Sequence, residues 1–135
     1  MRATPSRQQV TVLVVADEDA TRALLSDALR RDGYLVLSAA SAGDAASYLA
    51  APAARIDLVL SDLRREGPTA LDLARLVRAT RERTPLIVVN GGDEMAGNAT
   101  SLPSPFRLDV LRRAVLTTIV ANVKRGSAEP VLKTA

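Results

Sequence analysis

The sequence predicts an α/β fold, a parallel sheet covered by helices on both faces. Two observations carry this. Short apolar segments alternate with longer stretches whose apolar residues recur at helical spacing. The short segments are also β-branched and nearly free of polar residues, as strands buried on both faces must be.

The first strand is read at residues 10–16 (VTVLVVA). A helix follows over 21–32, with Leu24, Leu25, Ala28 and Leu29 on its apolar side and Gly33 as its stop. Residues 35–39 form the second strand. Ser41 then opens a capping box with Asp44, starting an Ala-rich helix that ends near Pro52. The third strand covers 57–61 (DLVLS), and a loop runs over 62–68. A helix over 69–83 buries Leu71, Leu73, Ala74, Leu76 and Val77, and Pro85 precedes a fourth strand at 86–90. Residues 91–105 are rich in Gly, Ser, Asn and Pro, with a short fifth strand expected at 100–102. The last helix spans 108–124, and residues 125–135, with Gly126 and Pro130, read as a short tail.

Composition narrows the function. The 135 residues suit one domain, and 47% apolar with 24% charged residues is a globular mix. Without cysteine there is no disulfide framework, thiolate zinc site or thiol nucleophile. Without histidine the commonest general base and a Ser-His-Asp triad are also excluded. Any metal site must be built from oxygen, which points to magnesium or calcium. The net charge is +3 and no basic run forms, while Tyr34, Tyr48 and Phe106 are too few for a base-stacking platform. No nucleic-acid partner is expected. The longest apolar run is too short to span a membrane, and the first residues carry no apolar signal core. A cytoplasmic protein that is not an enzyme is the expectation, and Met1 reads as the start of a whole gene product.

In parallel α/β sheets, functional groups gather beyond the carboxyl ends of strands. That rule selects residues 16–19, Asp62 and Asn90. Asp19 reads as an N-cap in preference to a ligand, and Glu18 as a solvated loop charge. Asp17 and Asp62 follow or close buried strands, so a structural and a functional reading stand level for both.

VLVVADEDATRALLSDALRRDGYLV resembles the first strand, acidic pair, first helix and second strand of the receiver domain of two-component response regulators. DLVLSDLRREGPTALDLARLVR resembles that family's acceptor strand, its loop and third helix, while TPLIVVN and SPF resemble later strands. The resemblance covers residues 8–124. It implies a doubly wound, five-stranded parallel sheet, flavodoxin-like, of order 2-1-3-4-5. It implies phosphoryl transfer from a histidine kinase to Asp62, with Mg²⁺ held by Asp17, Asp62 and the backbone carbonyl of Arg64. Glu18 is an additional candidate ligand, acting through water. It also implies a cis peptide bond at Ser104–Pro105.

Several positions depart from the family. Ala16 stands where the first acidic residue belongs, Asn90 replaces the hydroxyl donor, and Ser104 replaces the phosphate-pairing lysine. A serine cannot supply the lost charge, so Arg64, Arg65 or Arg107 would have to reach in. Ser101 occupies the place of the aromatic switch residue. Thirteen residues between Asn90 and Ser104 leave no room for the usual helix and strand with their loops, so the family's fourth helix is expected to be lost or reduced to loop.

The last helix shows a core stripe of Leu108, Leu111, Val115, Thr118 and Ile119, and a second apolar set of Leu116, Val120 and Val123. The second set is covered either by the 91–105 loop or by a second copy, and a homodimer through this helix is expected. The favoured function is an atypical response regulator acting by protein–protein interaction, with weak or no phosphorylation dependence and weak Mg²⁺ binding. A phospho-accepting single-domain regulator is the alternative. A small phosphate- or nucleotide-binding domain is a further one, but no Gly-rich phosphate loop follows any strand.

Overall fold

A computed structural model describes residues 10–51, 53–63, 69–89, 99–102 and 107–134, the side chains of 69–70, 99–102 and 123–134 excepted. Its elements run β1 (Thr11–Ala16), α1 (Asp19–Arg31), β2 (Leu35–Ala39), α2 (Ala42–Ala50), β3 (Leu58–Asp62), α3 (Thr69–Thr80), β4 (Leu86–Val89), β5 (Ala99–Leu102) and α4 (Leu108–Thr134). All five strands are parallel, in the order β2-β1-β3-β4-β5. This is the flavodoxin-like arrangement implied by the resemblance. The expected loss of a helix between the last two strands falls on residues 90–98, outside the described residues.

Every residue of β1, β3 and β4 is buried, so these strands alternate between two apolar layers. Val12, Val14, Leu58, Leu60, Ile87 and Val89 face α1 and α4, meeting Leu25, Leu29, Leu111, Val115 and Ile119. Leu13, Val15, Val59, Leu86 and Val88 face α2 and α3, meeting Ala45, Leu49, Leu73 and Val77. Each fully buried Leu or Val contributes roughly 1.5–3 kcal/mol over leaving it in water. The continuous apolar reading of these strands is thus explained by two-sided burial.

Local signals set several boundaries. Gly33 lies at φ 96°, a left-handed conformation that glycine adopts without a Cβ clash. Its N–H donates to the Arg30 carbonyl, and that of Tyr34 donates to Leu29, closing α1 in a Schellman turn. The Oγ of Ser41 accepts from the Asp44 N–H at 3.1 Å, capping α2 as expected.

The helix ends differ from expectation in several places. α1 begins at Asp19, with Glu18 at the N-cap position, so Asp19 is not the cap. Its carboxylate turns to Arg22 at 2.6 Å, and this charge in the first turn also suits the helix dipole. Leu24 is 52% exposed, because the apolar arc facing the sheet is narrower than the spacing suggested. α3 stops at Thr80, short of Arg83. α4 runs on to Thr134, where a tail from 125 was expected. Pro130 lacks the N–H that would bond to the carbonyl of Gly126 four residues back, yet α4 continues through it.

The residue after α3, Arg81, has a role that local pattern did not reveal. Its Nε donates to the Leu49 carbonyl at 3.1 Å, Nη1 to Ala54 at 2.7 Å and Nη2 to Ala51 at 2.8 Å. One guanidinium thereby satisfies the end of α2 and the turn leading to β3. On the opposite layer, Arg112 of α4 pairs bidentately with Asp32 at the end of α1.

Arg81→Ala is expected to lower urea-unfolding stability by about 2–3 kcal/mol, since several part-buried carbonyls lose a charged donor. Arg81→Lys should recover less than half of that, because an ammonium cannot match three spread acceptors. Wild-type stability in Arg81→Ala would contradict the clamp.

Candidate functional site

β1 lies between β2 and β3, so chain order reverses at the β1–β3 boundary. The crevice beyond the carboxyl ends of those two strands is where open α/β sheets place their ligands. Ala16 and Asp62 are Cα partners in the register there. Asp17 follows Ala16 directly, so two carboxylates stand at the ends of neighbouring central strands.

Their surroundings differ. Asp62 is 1% exposed and closes β3, on the sheet face of Leu58 and Leu60 by strand alternation. A carboxylate taken out of water costs several kcal/mol unless a counter-charge or donors compensate. Asp17 is half-buried, with its Oδ1 shut off from solvent. Ala16 is fully buried and brings only a methyl group to the position where an acidic residue was expected.

Glu18 is exposed, and its Oε1 accepts from the Thr21 hydroxyl at 3.1 Å. That contact ties it to the first turn of α1. Arg107, considered as a replacement cation, pairs with Asp109 through two 3.1 Å hydrogen bonds and is exposed. Arg64, Arg65, Asn90, Ser104 and the Ser104–Pro105 bond lie outside the described residues, as does the side chain of Ser101. On α4, Leu116 and Val120 are 37% and 43% exposed, while the Val123 side chain is outside the described set. Leu111, Val115 and Ile119 are buried as the core stripe required, with Leu108 and Thr118 at its partly exposed margin.

Arg22 was missed at the sequence level. Its Nη1 donates to the Ala16 carbonyl at 2.9 Å and its Nη2 to Asp19. The i,i+3 spacing from Asp19 hinted at a helix pair, but nothing local signalled the strand carbonyl.

The family model of the response regulator receiver domain matches residues 12–102. The chain belongs to this family. The sensor kinase CckA of Brucella abortus is 35% identical over 125 residues, covering 84% of this chain and 13% of that protein. The probable transcriptional regulatory protein TcrX of Mycobacterium tuberculosis is 30% identical, covering 93% of this chain and 59% of that one. The chain therefore spans between about an eighth and three-fifths of these relatives' lengths. Among solved structures, a response regulator receiver protein from Sinorhizobium medicae is 28% identical with a TM-score of 0.73, covering 84% of this chain and 96% of that one.

Receiver domains typically bind Mg²⁺ at their phosphorylation site, and the described carboxylates Asp17 and Asp62 are of the chemical kind that ion takes. Among the described residues no group of three or more His, Cys, Asp or Glu could hold a metal. Two adjacent carboxylates are nonetheless the oxygen complement that Mg²⁺ takes while keeping several waters. They are too few for a tight site.

Millimolar Mg²⁺ should raise the melting temperature by about 3–6 °C at ten times its dissociation constant, equivalent to about 1.4 kcal/mol. Asp17→Asn and Asp62→Asn should each remove most of that shift. A wild-type melt unmoved by 20 mM Mg²⁺, about what a weak site would need, would contradict cation binding here.

Proposed function

We propose that this chain is an atypical receiver of two-component type that works through protein–protein contacts, with weak or no dependence on phosphorylation. The observation that carries the reading is Ala16, packed opposite Asp62 where receivers place a carboxylate. An apolar methyl contributes nothing to cation binding, and the site is left with Asp17 and Asp62 as its described acidic groups. The residue identities at Asn90 and Ser104 add to this, since neither offers a hydroxyl on the fourth strand or a lysine charge.

A second reading is favoured by the adjacency of Asp17 and Asp62. Here Asp62 remains the phospho-acceptor. A carboxylate oxygen of Asp62 attacks the phosphorus of a kinase phosphohistidine, the P–N bond breaks, and the imidazole nitrogen leaves with its electron pair. Bound Mg²⁺ would be held by Asp17, Asp62 and the Arg64 carbonyl, and would neutralise charge on the transferring group. Glu18 would act only through water. Asp17 would supply the second carboxylate to the ion, following the Ala16 that the strand register places opposite Asp62. The missing lysine charge makes transfer slow in this reading.

The partner surface we infer is α4. Leu116 and Val120 lie one turn apart and exposed, a pattern suited to isologous contact with a second copy. Val123 continues the same i, i+4, i+7 series in sequence. A histidine kinase or another signalling protein is the other partner class. The modest net charge and the three aromatic residues favour protein over nucleic acid. No helix among the described residues is long and apolar enough to cross a membrane.

Sedimentation at tens of micromolar, roughly the range of a modest interface, should show a dimer for the wild type. Asp62→Asn should dimerise equally, and Leu116→Asp with Val120→Asp should give a monomer that melts like wild type. A wild-type monomer would contradict self-association. Dimerisation only after addition of a small-molecule phosphodonor would replace this reading by the phospho-accepting one.

A further inference from the structure

The connection between β1 and α1 is only two residues long, Asp17 and Glu18, and one guanidinium closes it from the helix side. Nη1 of Arg22 donates to the Ala16 carbonyl at 2.9 Å, just before the connection. Nη2 donates to Oδ1 of Asp19 at 2.6 Å, just after it. The Arg22 N–H also donates to the Glu18 carbonyl at 2.9 Å. Three contacts from one residue therefore bracket Asp17.

The two halves of this bracket are unequal. The Arg22 side chain is 23% exposed, whereas that of Asp19 is 93% exposed. The Asp19 half is a surface ion pair, weak in water and screened by salt. The Ala16 half is sheltered, and it grips the residue whose Cα pairs with Asp62. Arg22 thus ties the end of β1, where Ala16 pairs with Asp62, to the first turn of α1.

We propose that Arg22 is a positioning residue of the acidic pocket, fixing Asp17 relative to Asp62 and so setting the affinity for a divalent cation. The cation half rests on the reading of Asp17 and Asp62 as the Mg²⁺ ligands. The geometric half does not. With Ala16 in place of an acidic residue, Asp17 is what remains of the acidic pair, and an error in its placement has no neighbouring carboxylate to offset it. The planar fork of arginine matters because it meets two acceptors at once, which a lysine ammonium cannot do in the same geometry.

The test follows Mg²⁺ titrations by amide NMR in wild type, Arg22→Ala, Arg22→Lys and Asp19→Asn, with urea midpoints recorded for all four. Arg22→Ala should weaken Mg²⁺ binding about tenfold, the low end of what outer-shell changes cost. Its Asp17 and Glu18 amides should lose order on the picosecond–nanosecond timescale while the amides of β3 keep theirs. Arg22→Lys, which retains the stem and the charge, should fall between the two and covers the case of an unfolded alanine variant. Asp19→Asn should bind Mg²⁺ within about twofold of wild type, as expected for a surface pair. Wild-type affinity in both Arg22 variants overturns the proposal. If the wild type itself takes up no Mg²⁺, the cation reading fails and the amide data still decide positioning. Unchanged order at Asp17 and Glu18 in Arg22→Ala then refutes it, and a local loss of order upholds it.

Discussion

The parallel pairing of β1 with β3 is the constraint on which the rest depends. It buries both strands on two faces, so their sequences are mostly apolar, with Thr11, Ser61 and Asp62 as the buried polar exceptions. Asp62 closes β3 opposite Ala16, and Asp17 follows Ala16 directly, so two carboxylates stand at neighbouring strand ends. The same pairing that stabilises the core therefore concentrates charge at one place. β2 and β4 flank the pair, and the helices supply the two apolar layers that make two-sided burial possible.

A nearly inaccessible carboxylate at Asp62 is costly to keep charged, and a protein keeps one where an ion or a set of donors compensates. Receivers meet that cost with a metal and a lysine. In the proposed reading, Ala16 brings a methyl group where receivers carry a carboxylate and Ser104 stands at the lysine position, so stabilisation of a transferring phosphoryl group would be reduced on two sides. Ala16 belongs to neither apolar cluster, so the two layers do not depend on an acidic residue there. Weakening of the pocket and retention of the domain are thus independent, which makes a receiver that acts through its surfaces physically reasonable.

Much of the architecture was legible because it is written in local pattern. The second strand was placed to the residue, since it lies between the Gly33 turn and the Ser41 cap, both of which act over a few bonds. Asp17 and Asp62 were legible because they interrupt apolar runs. The long-range polar contacts were not. Arg81 reaches carbonyls 27–32 positions away, and Arg112 meets Asp32 80 positions away. Arginines at those positions look like any solvated helix charge until the tertiary fold supplies acceptors. Helix boundaries failed for a related reason. Gly126 and Pro130 read as a stop, yet the one bond lost between them does not end α4. Leu24 misled because helical spacing alone does not give the width of the face that the sheet covers.

The most direct test of the account is an amide NMR comparison of the protein with and without Mg²⁺ and beryllofluoride, a mimic of aspartyl phosphate. Shifts are expected only at the ends of β1 and β3, around Asp17 and Asp62, with the amides of Leu116 and Val120 unmoved. Large shifts along α4 on addition of beryllofluoride would contradict it, because the pocket would then control the surface through which this receiver is proposed to act.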